Sequence, residues 1–203
     1  MKRNSDKYNR IIEAAVKVFA RKGFYNAKVS EIAKEAKVAD GTIYLYFQNK
    51  DDILISLFEV AMEKILRNMK GRLSQISDPI EKIELFAAVH LELVENSKEL
   101  AEVIQVEIRQ SSKFMKEYRN DKFIDYLNLI ADIVREGQAK GVFRKDIVPG
   151  IAKRAFFGAL DEMSRYWVLS TRRSYSPQVA AEQISRIFVS GLIPHPNHPS
   201  QGE

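Results

Sequence analysis

Apolar residues recur at helical spacing along almost the whole chain, and no stretch alternates as a strand would. Ile11, Ile12, Ala15, Val16, Phe19 and Ala20 fall at i, i+1, i+4, i+5, i+8 and i+9, one stripe of a helix. Gly23 follows Arg21-Lys22 and ends that helix, with basic side chains in its last turn. Ser30-Glu31-Ile32-Ala33 opens a short second helix, capped by Ser30 and buried through Ile32, Ala33 and Ala36. Val38-Ala39-Asp40-Gly41 reads as a tight turn, and Thr42 to Phe47 as one or two further helical turns. A long helix starts at Asn49 or Lys50 and runs through Leu54, Phe58, Ala61, Ile65 and Leu66. Pro79 after Ser77-Asp78 starts the next, because proline suits the first helical position. Helical runs follow over 79–95, 98–110 and 113–140, then from Val148-Pro149 to about Ser170 and from Ser176-Pro177 to Gly191-Leu192. The fold class is therefore all-α, with about nine helices.

Composition removes several chemistries. The 203 residues contain no cysteine, which excludes disulfides, cysteine nucleophiles, iron–sulfur clusters and zinc fingers. His90, His195 and His198 are the whole histidine set, which argues against a three-histidine zinc site, so no metal is expected. His90, Asp161 and Glu162 are the only candidate acid–base groups, and no G-x-S-x-G nucleophile motif accompanies them. An enzyme acting on an acyl thioester is thus disfavoured, with no catalytic residue and no cofactor assigned. No apolar run approaches the roughly 20 residues that span a bilayer. The basic start Met1-Lys2-Arg3-Asn4-Ser5-Asp6 has no apolar stretch behind it and is no secretory signal. The expectation is a soluble, cytoplasmic protein without a membrane partner.

Charge is unevenly placed. Residues 1–50 hold 11 Lys/Arg against 5 Asp/Glu, and residues 51–203 hold 21 against 22, so the basic excess lies in the first quarter. That pattern suits an anionic polymer bound at one end, or a solvated lysine-rich helix face. The spacing within 30–47 is that of a helix-turn-helix, whose second helix enters a major groove, or of an ordinary helical hairpin.

The residues themselves break the tie. The run Gly41-Thr42-Ile43-Tyr44-Leu45-Tyr46-Phe47-Gln48-Asn49-Lys50-Asp51-Asp52-Ile53 resembles the signature of the TetR family of bacterial repressors, and Ala14, Phe19, Gly23 and Phe24 fit that family's first helix. The resemblance implies an N-terminal three-helix DNA-binding domain over 1–52, a ligand-binding and dimerisation bundle over 53–193, and a loose tail over 194–203. Phe19, Ile32, Ile43 and Phe47 would hold the three helices together. Lys28, Ser30, Thr42, Tyr44, Tyr46 and Lys50 are the implied DNA-contacting set. Thr42 suits a thymine methyl or a phosphate. Tyr44 and Tyr46, two apart, cannot share a helix face, so one packs and the other faces the groove. Lys50, at a helix start, is placed to clamp a phosphate. Lys2, Arg3 and Lys7 form an arm for the backbone or minor groove.

The remaining residues should sense a ligand or assemble the protein. Ile151, Ala152, Ala155 and Ala159, with Val179, Ala180, Ile184, Ile187, Phe188 and Gly191, mix small and large apolar side chains at helical spacing and suit a homodimer seam. In Gln105-Val106-Glu107-Ile108-Arg109-Gln110-Ser111-Ser112, Gln105 and Arg109 share a face, and Arg109's planar fork suits a phosphate. This stretch and the helices around Gly158–Glu162 and Trp167 resemble, over nearly the whole chain, the FadR-type TetR repressors of fatty-acid degradation in Bacillus-like bacteria. The resemblance implies a palindromic DNA operator and a long-chain acyl-CoA effector. The implied effector residues are Gln105, Arg109, Gln110, Phe123, Tyr126, Phe157, Asp161 and Trp167. The alternative is a repressor of the same fold that senses another lipophile, such as a cationic drug, through Glu107, Asp161 or Glu162.

Overall fold

The computed structural model describes residues 2–170 and 174–194, with side chains from Asp6 onward. The side chains of Lys2 and Arg3, and the tail histidines His195 and His198, lie outside the described residues. Ten α-helices and one 3-10 turn are found among the described residues. They are α1 (Lys2–Lys22), α2 (Val29–Ala36), α3 (Asp40–Ile43), α4 (Lys50–Leu73), α5 (Pro79–Asn96), α6 (Lys98–Gln105), the 3-10 turn (Glu107–Gln110), α7 (Ser112–Lys116), α8 (Asp121–Ala139), α9 (Pro149–Leu169) and α10 (Pro177–Leu192).

Two helical runs expected to be continuous are broken. After α6 the backbone swings at Val106 (φ −117°, ψ −60°) into the 3-10 turn. The run from 113 closes at Lys116, where the N–H groups of Glu117 and Tyr118 both return to the Lys113 carbonyl, and restarts at Asp121. The basic arm is helical as well, since the α1 backbone begins at Lys2.

The chain forms two compact units. One joins Met1–Ile65 with Asn96–Lys122, and the other joins Leu66–Glu95 with the chain from Phe123 onward. This grouping differs from a single cut after residue 52, because α6 packs on α1 and α4 as far as Ile65 stays with the N-terminal helices.

In the first unit, Ile11, Ala15, Val18, Phe19, Ile32, Ile43, Phe47, Ile53 and Leu54 form a fully buried core. The start of α2 departs from expectation. Lys28 occupies the capping position, its N–H donates to the Glu31 carboxylate at 3.1 Å, and Ser30 is exposed within the first turn. Glu31 caps by reaching back three residues, and Ser30, two positions after the capping residue, is too late to serve as the cap. Lys37 ends α2 in the left-handed region (φ 54°), and the Arg10 guanidinium donates to the carbonyls of Ala36 and Lys37 there. The Asn49 side chain accepts from the Asp52 N–H at 2.9 Å, and the Asp52 carboxylate accepts from the Gln48 N–H at 2.9 Å, so α4 is capped in both directions.

In the second unit, Phe86, Tyr126, Ile130, Val134, Phe156, Leu160 and Trp167 fill the interior of α5, α8 and α9. The Phe143 ring lies on Gly137, where a Cβ would come within 2.0 Å of it. Gln138 then fixes the following loop by donating to the carbonyls of Arg144 (3.0 Å) and Ile147 (2.7 Å).

Candidate functional site

The first candidate surface grows from α2 and α3. Ile43 and Phe47 are buried, so the residues between them divide by helical phase. Tyr44 and Leu45 point outward, at 60% and 82% exposure. Tyr46 turns back and lies beside Tyr8 (centroids 6.2 Å apart), which itself stacks on Phe47 at 5.3 Å. The pair therefore splits as helical spacing requires, with Tyr44 the outward ring. Thr42 is half-buried, while Lys28, Ser30, Lys34 and Lys37 are exposed. Gly41 is exposed with open space around its Cα, leaving room for close backbone approach. Leu45 and Gly41 are absent from the expected contact set, although burial of Ile43 and Phe47 already directs Leu45 outward.

Lys50 behaves differently from a free phosphate clamp. Its ammonium donates to the carbonyls of Tyr25 (3.0 Å) and Ala27 (3.1 Å) and sits 4.7 Å above the Phe24 ring. Two of three ammonium donors therefore hold the loop between α1 and α2. Its position at the start of α4 brings it to that loop, which sequence spacing does not reveal.

The expected effector residues fall into both units. Gln105, Arg109 and Gln110 belong to the first. Arg109 is exposed and donates to the Gln105 carbonyl at 3.0 Å, folding back on its own turn. Gln110 is drawn into a network around Glu107, which is 6% exposed. The Glu107 carboxylate accepts from the Phe24 N–H and from the Gln110 side chain (3.1 Å). The Tyr25 hydroxyl donates to the Gln110 carbonyl at 2.9 Å. Ser111 donates to the Asp51 carboxylate and accepts from the Phe114 N–H, capping α7. Gly23 makes this approach feasible: its φ of 78° is accessible to glycine, and that turn presents the Phe24 N–H to Glu107. Tyr25 and Ser111 are thus functional candidates that sequence reasoning does not single out, and Glu107, expected only as a carboxylate for a cationic lipophile, instead holds the backbone of the first unit.

Phe123, Tyr126, Phe157, Asp161 and Trp167 belong to the second unit. Phe123 meets Phe157 edge-on at 5.1 Å, and Phe157 meets the His90 ring edge-on at 5.6 Å. Phe86 packs at 5.0 Å on Tyr126 and stacks on His90. His90 Nδ1 and the Tyr126 hydroxyl are 2.8 Å apart, a hydrogen bond at the centre of this aromatic cluster. Burial holds the His90 imidazole down at about 4, against a smaller upward pull from Asp161. Burial likewise pushes the Tyr126 hydroxyl up. Burial thus favours the neutral form of both groups, and the cluster is a closely packed aromatic interior. Trp167 lies further along α9, on the buried face shared with Phe156, Leu160 and Ser164.

Among the described residues, no helix is long and apolar enough to cross a membrane, and no His/Asp/Glu cluster is arranged to hold a metal. Residues 11–57 match the family model described as bacterial regulatory proteins, tetR family, and residues 58–191 match that of the YsiA-like protein C-terminal region. The chain belongs to the TetR family. It is a helix-turn-helix DNA-binding transcription regulator and not an enzyme. Within TetR proteins it is 37% identical over 192 residues to the fatty acid metabolism regulator protein of Bacillus subtilis, covering 95% of this chain and 98% of that one. Two solved TetR structures share the fold closely. The transcriptional regulator FadR from B. subtilis, in complex with stearoyl-CoA, superposes with a TM-score of 0.85 at 37% identity, covering 91% of this chain and 99% of that chain. The fatty acid degradation regulator FadR from Bacillus halodurans gives 0.83 at 36% identity, with the same coverage.

Proposed function

We propose that this protein is a homodimeric repressor of fatty-acid degradation genes that leaves a palindromic operator when a long-chain acyl-CoA binds among its C-terminal helices. The observation that carries this reading is the near-full-length likeness to a regulator crystallised with stearoyl-CoA. The neutral aromatic cluster of Phe123, Phe157, Tyr126 and His90 supports it, since an acyl chain needs an apolar lining without exposed charge. Asp161 and Trp167, in the same unit as these rings, are assigned with them to the acyl chain. Tyr44, Thr42, Lys28 and Ser30 face DNA, with Tyr46 and Lys50 holding the reading helices in place.

The dimer is assigned to the outer faces of α9 and α10. Ile151 (68% exposed), Leu169 (62%), Val179 and Ile187 (75%) lie there, with Ala155, Gly158, Ala159 and Gly191 between them. Such a stripe of large and small apolar groups admits close helix approach. Ala152 and Ala180 leave the expected seam, because they are buried within their own unit, and Phe188 stacks on Phe156 at 4.4 Å. Two-fold symmetry then sets the recognition helices one DNA turn apart, roughly 34–36 Å.

Gel-shift titration tests the reading. Each buried methylene contributes about 0.8 kcal/mol, so stearoyl-CoA should release DNA at concentrations where acetyl-CoA does not. Free stearate, which lacks the phosphates, should act weakly. Equal potency of the two thioesters, or release by a cationic lipophile alone, overturns the acyl-CoA assignment.

A further inference from the structure

We propose that the turn at 107–111 is a latch through which the effector helices act on the DNA-reading helices, with Glu107 as its positioning residue; this rests on the acyl-CoA reading above. The chain leaves the second unit after α5 and re-enters it at α8, so residues 96–122 are an excursion into the first unit. His90 lies on α5, and Phe123 and Tyr126 lie on α8. Both ends of the excursion are therefore covalently joined to helices that build the aromatic cluster.

Its middle is tied to the joints of the DNA-reading unit. Glu107 accepts from the Phe24 N–H, and the Gln110 carbonyl accepts from the Tyr25 hydroxyl, so two ties hold the loop between α1 and α2. Ser111 donates to Asp51 in the first turn of α4. Lys50 joins those two joints through the Tyr25 and Ala27 carbonyls. The latch thus grips the loop before α2 and the start of the helix after α3, which together set the orientation of α2 and α3. The Glu107 bond is buried, where a hydrogen bond is strong when made and costly when half-made. An element of that kind is engaged or released rather than gradually stretched. Entry of an acyl chain displaces α5 and α8, pulls on both ends of the excursion, and releases Phe24 and Tyr25.

The test uses the full-length protein, stearoyl-CoA, and an operator fragment selected by the protein from random DNA. The readout is the ratio of DNA Kd with saturating stearoyl-CoA to DNA Kd without it. Glu107→Gln and Tyr25→Phe weaken the same ties that the effector releases, so each should raise the DNA Kd without effector toward its effector-bound value and thereby lower that ratio about fivefold or more. Tyr25 is 69% exposed, so its variant folds even if Glu107→Gln is destabilised. In the wild-type protein, stearoyl-CoA should also speed hydrogen exchange at the Phe24 amide. An unchanged ratio in both variants, or a Phe24 amide indifferent to effector, overturns the latch. If stearoyl-CoA fails to release the wild-type protein at all, the acyl-CoA reading falls and takes the latch with it.

Discussion

The two units differ in what fills and fixes their interiors. In the first, charged and hydroxyl side chains reach distant backbone: Arg10 to Ala36 and Lys37, Lys50 to Tyr25 and Ala27, Glu107 to Phe24, Tyr25 to Gln110. In the second, the interior around α5, α8 and α9 is packed by rings, with His90 and Tyr126 paired among them. Hydrogen bonds are directional and fix loops at one geometry, whereas ring packing and apolar burial are far less directional. A surface that must match the repeat of a DNA groove gains from the first arrangement. A lining that must accept a long apolar chain gains from the second.

The sharpest way to break this comparison is on the outer face of the second unit. If α9 and α10 form the dimer, two reading units act together and the second contact is effectively intramolecular. Ile187→Glu places a charge in that seam and should give monomers, with operator affinity falling on the order of 10²-fold or more. Sedimentation and gel shift check both effects. A variant that remains dimeric with normal affinity would mean that the apolar face of the second unit is ordinary surface.

The next prediction probes the one hydrogen-bonded pair in the aromatic cluster. His90 has an ordinary value of 6.5 when unfolded and is held at about 4 when folded. Between those values the unfolded chain binds the proton and the folded chain does not, so stability is full above about pH 6.5 and declines as pH falls toward 4. The difference corresponds to up to about 3 kcal/mol. Urea unfolding at pH 7 and at pH 4.5 should show that loss, and His90→Phe should remove most of it. A wild-type profile flat across this window would mean that the His90 ring is hydrated in the native state, and the cluster would no longer count as a dry lining.

The contrast between the units also explains what the sequence discloses. Helix identity is local, and the spacing of Ile11, Ala15, Phe19, Ile32, Ile43 and Phe47 marks the buried faces of α1 to α3 directly. The same phase sends Tyr44 outward and Tyr46 inward. Pairings across the chain leave no periodic trace: Glu107 meets Phe24 from 83 positions away, and Lys50 meets Tyr25 from 25. The stretch from Gln105 to Ser111 stands out as polar within an apolar helix, yet spacing cannot show that its partners are backbone groups near α1. Ala152 and Ala180 illustrate the opposite difficulty. A helix packed on both sides is apolar all round, so periodicity alone does not separate the inner face from the dimer face.

Lys50 gives the smallest expected effect and the finest distinction. A lysine that clamps a phosphate and a lysine that holds a loop both weaken DNA binding when removed. They differ in salt dependence, because each lost phosphate contact lowers the slope of log K against log salt by about 1. With its ammonium on the Tyr25 and Ala27 carbonyls, Lys50 is a loop anchor. Lys50→Met keeps the apolar stem but no donor, so it should cost about 1–2 kcal/mol of stability and leave the salt slope unchanged. Lys50→Arg should recover part of the stability, since a guanidinium still donates to carbonyls. A slope lowered by about 1 with unaltered stability would return Lys50 to the phosphate-contacting set. The fixed geometry of the reading unit would then depend on Arg10, Tyr25 and Glu107 without it.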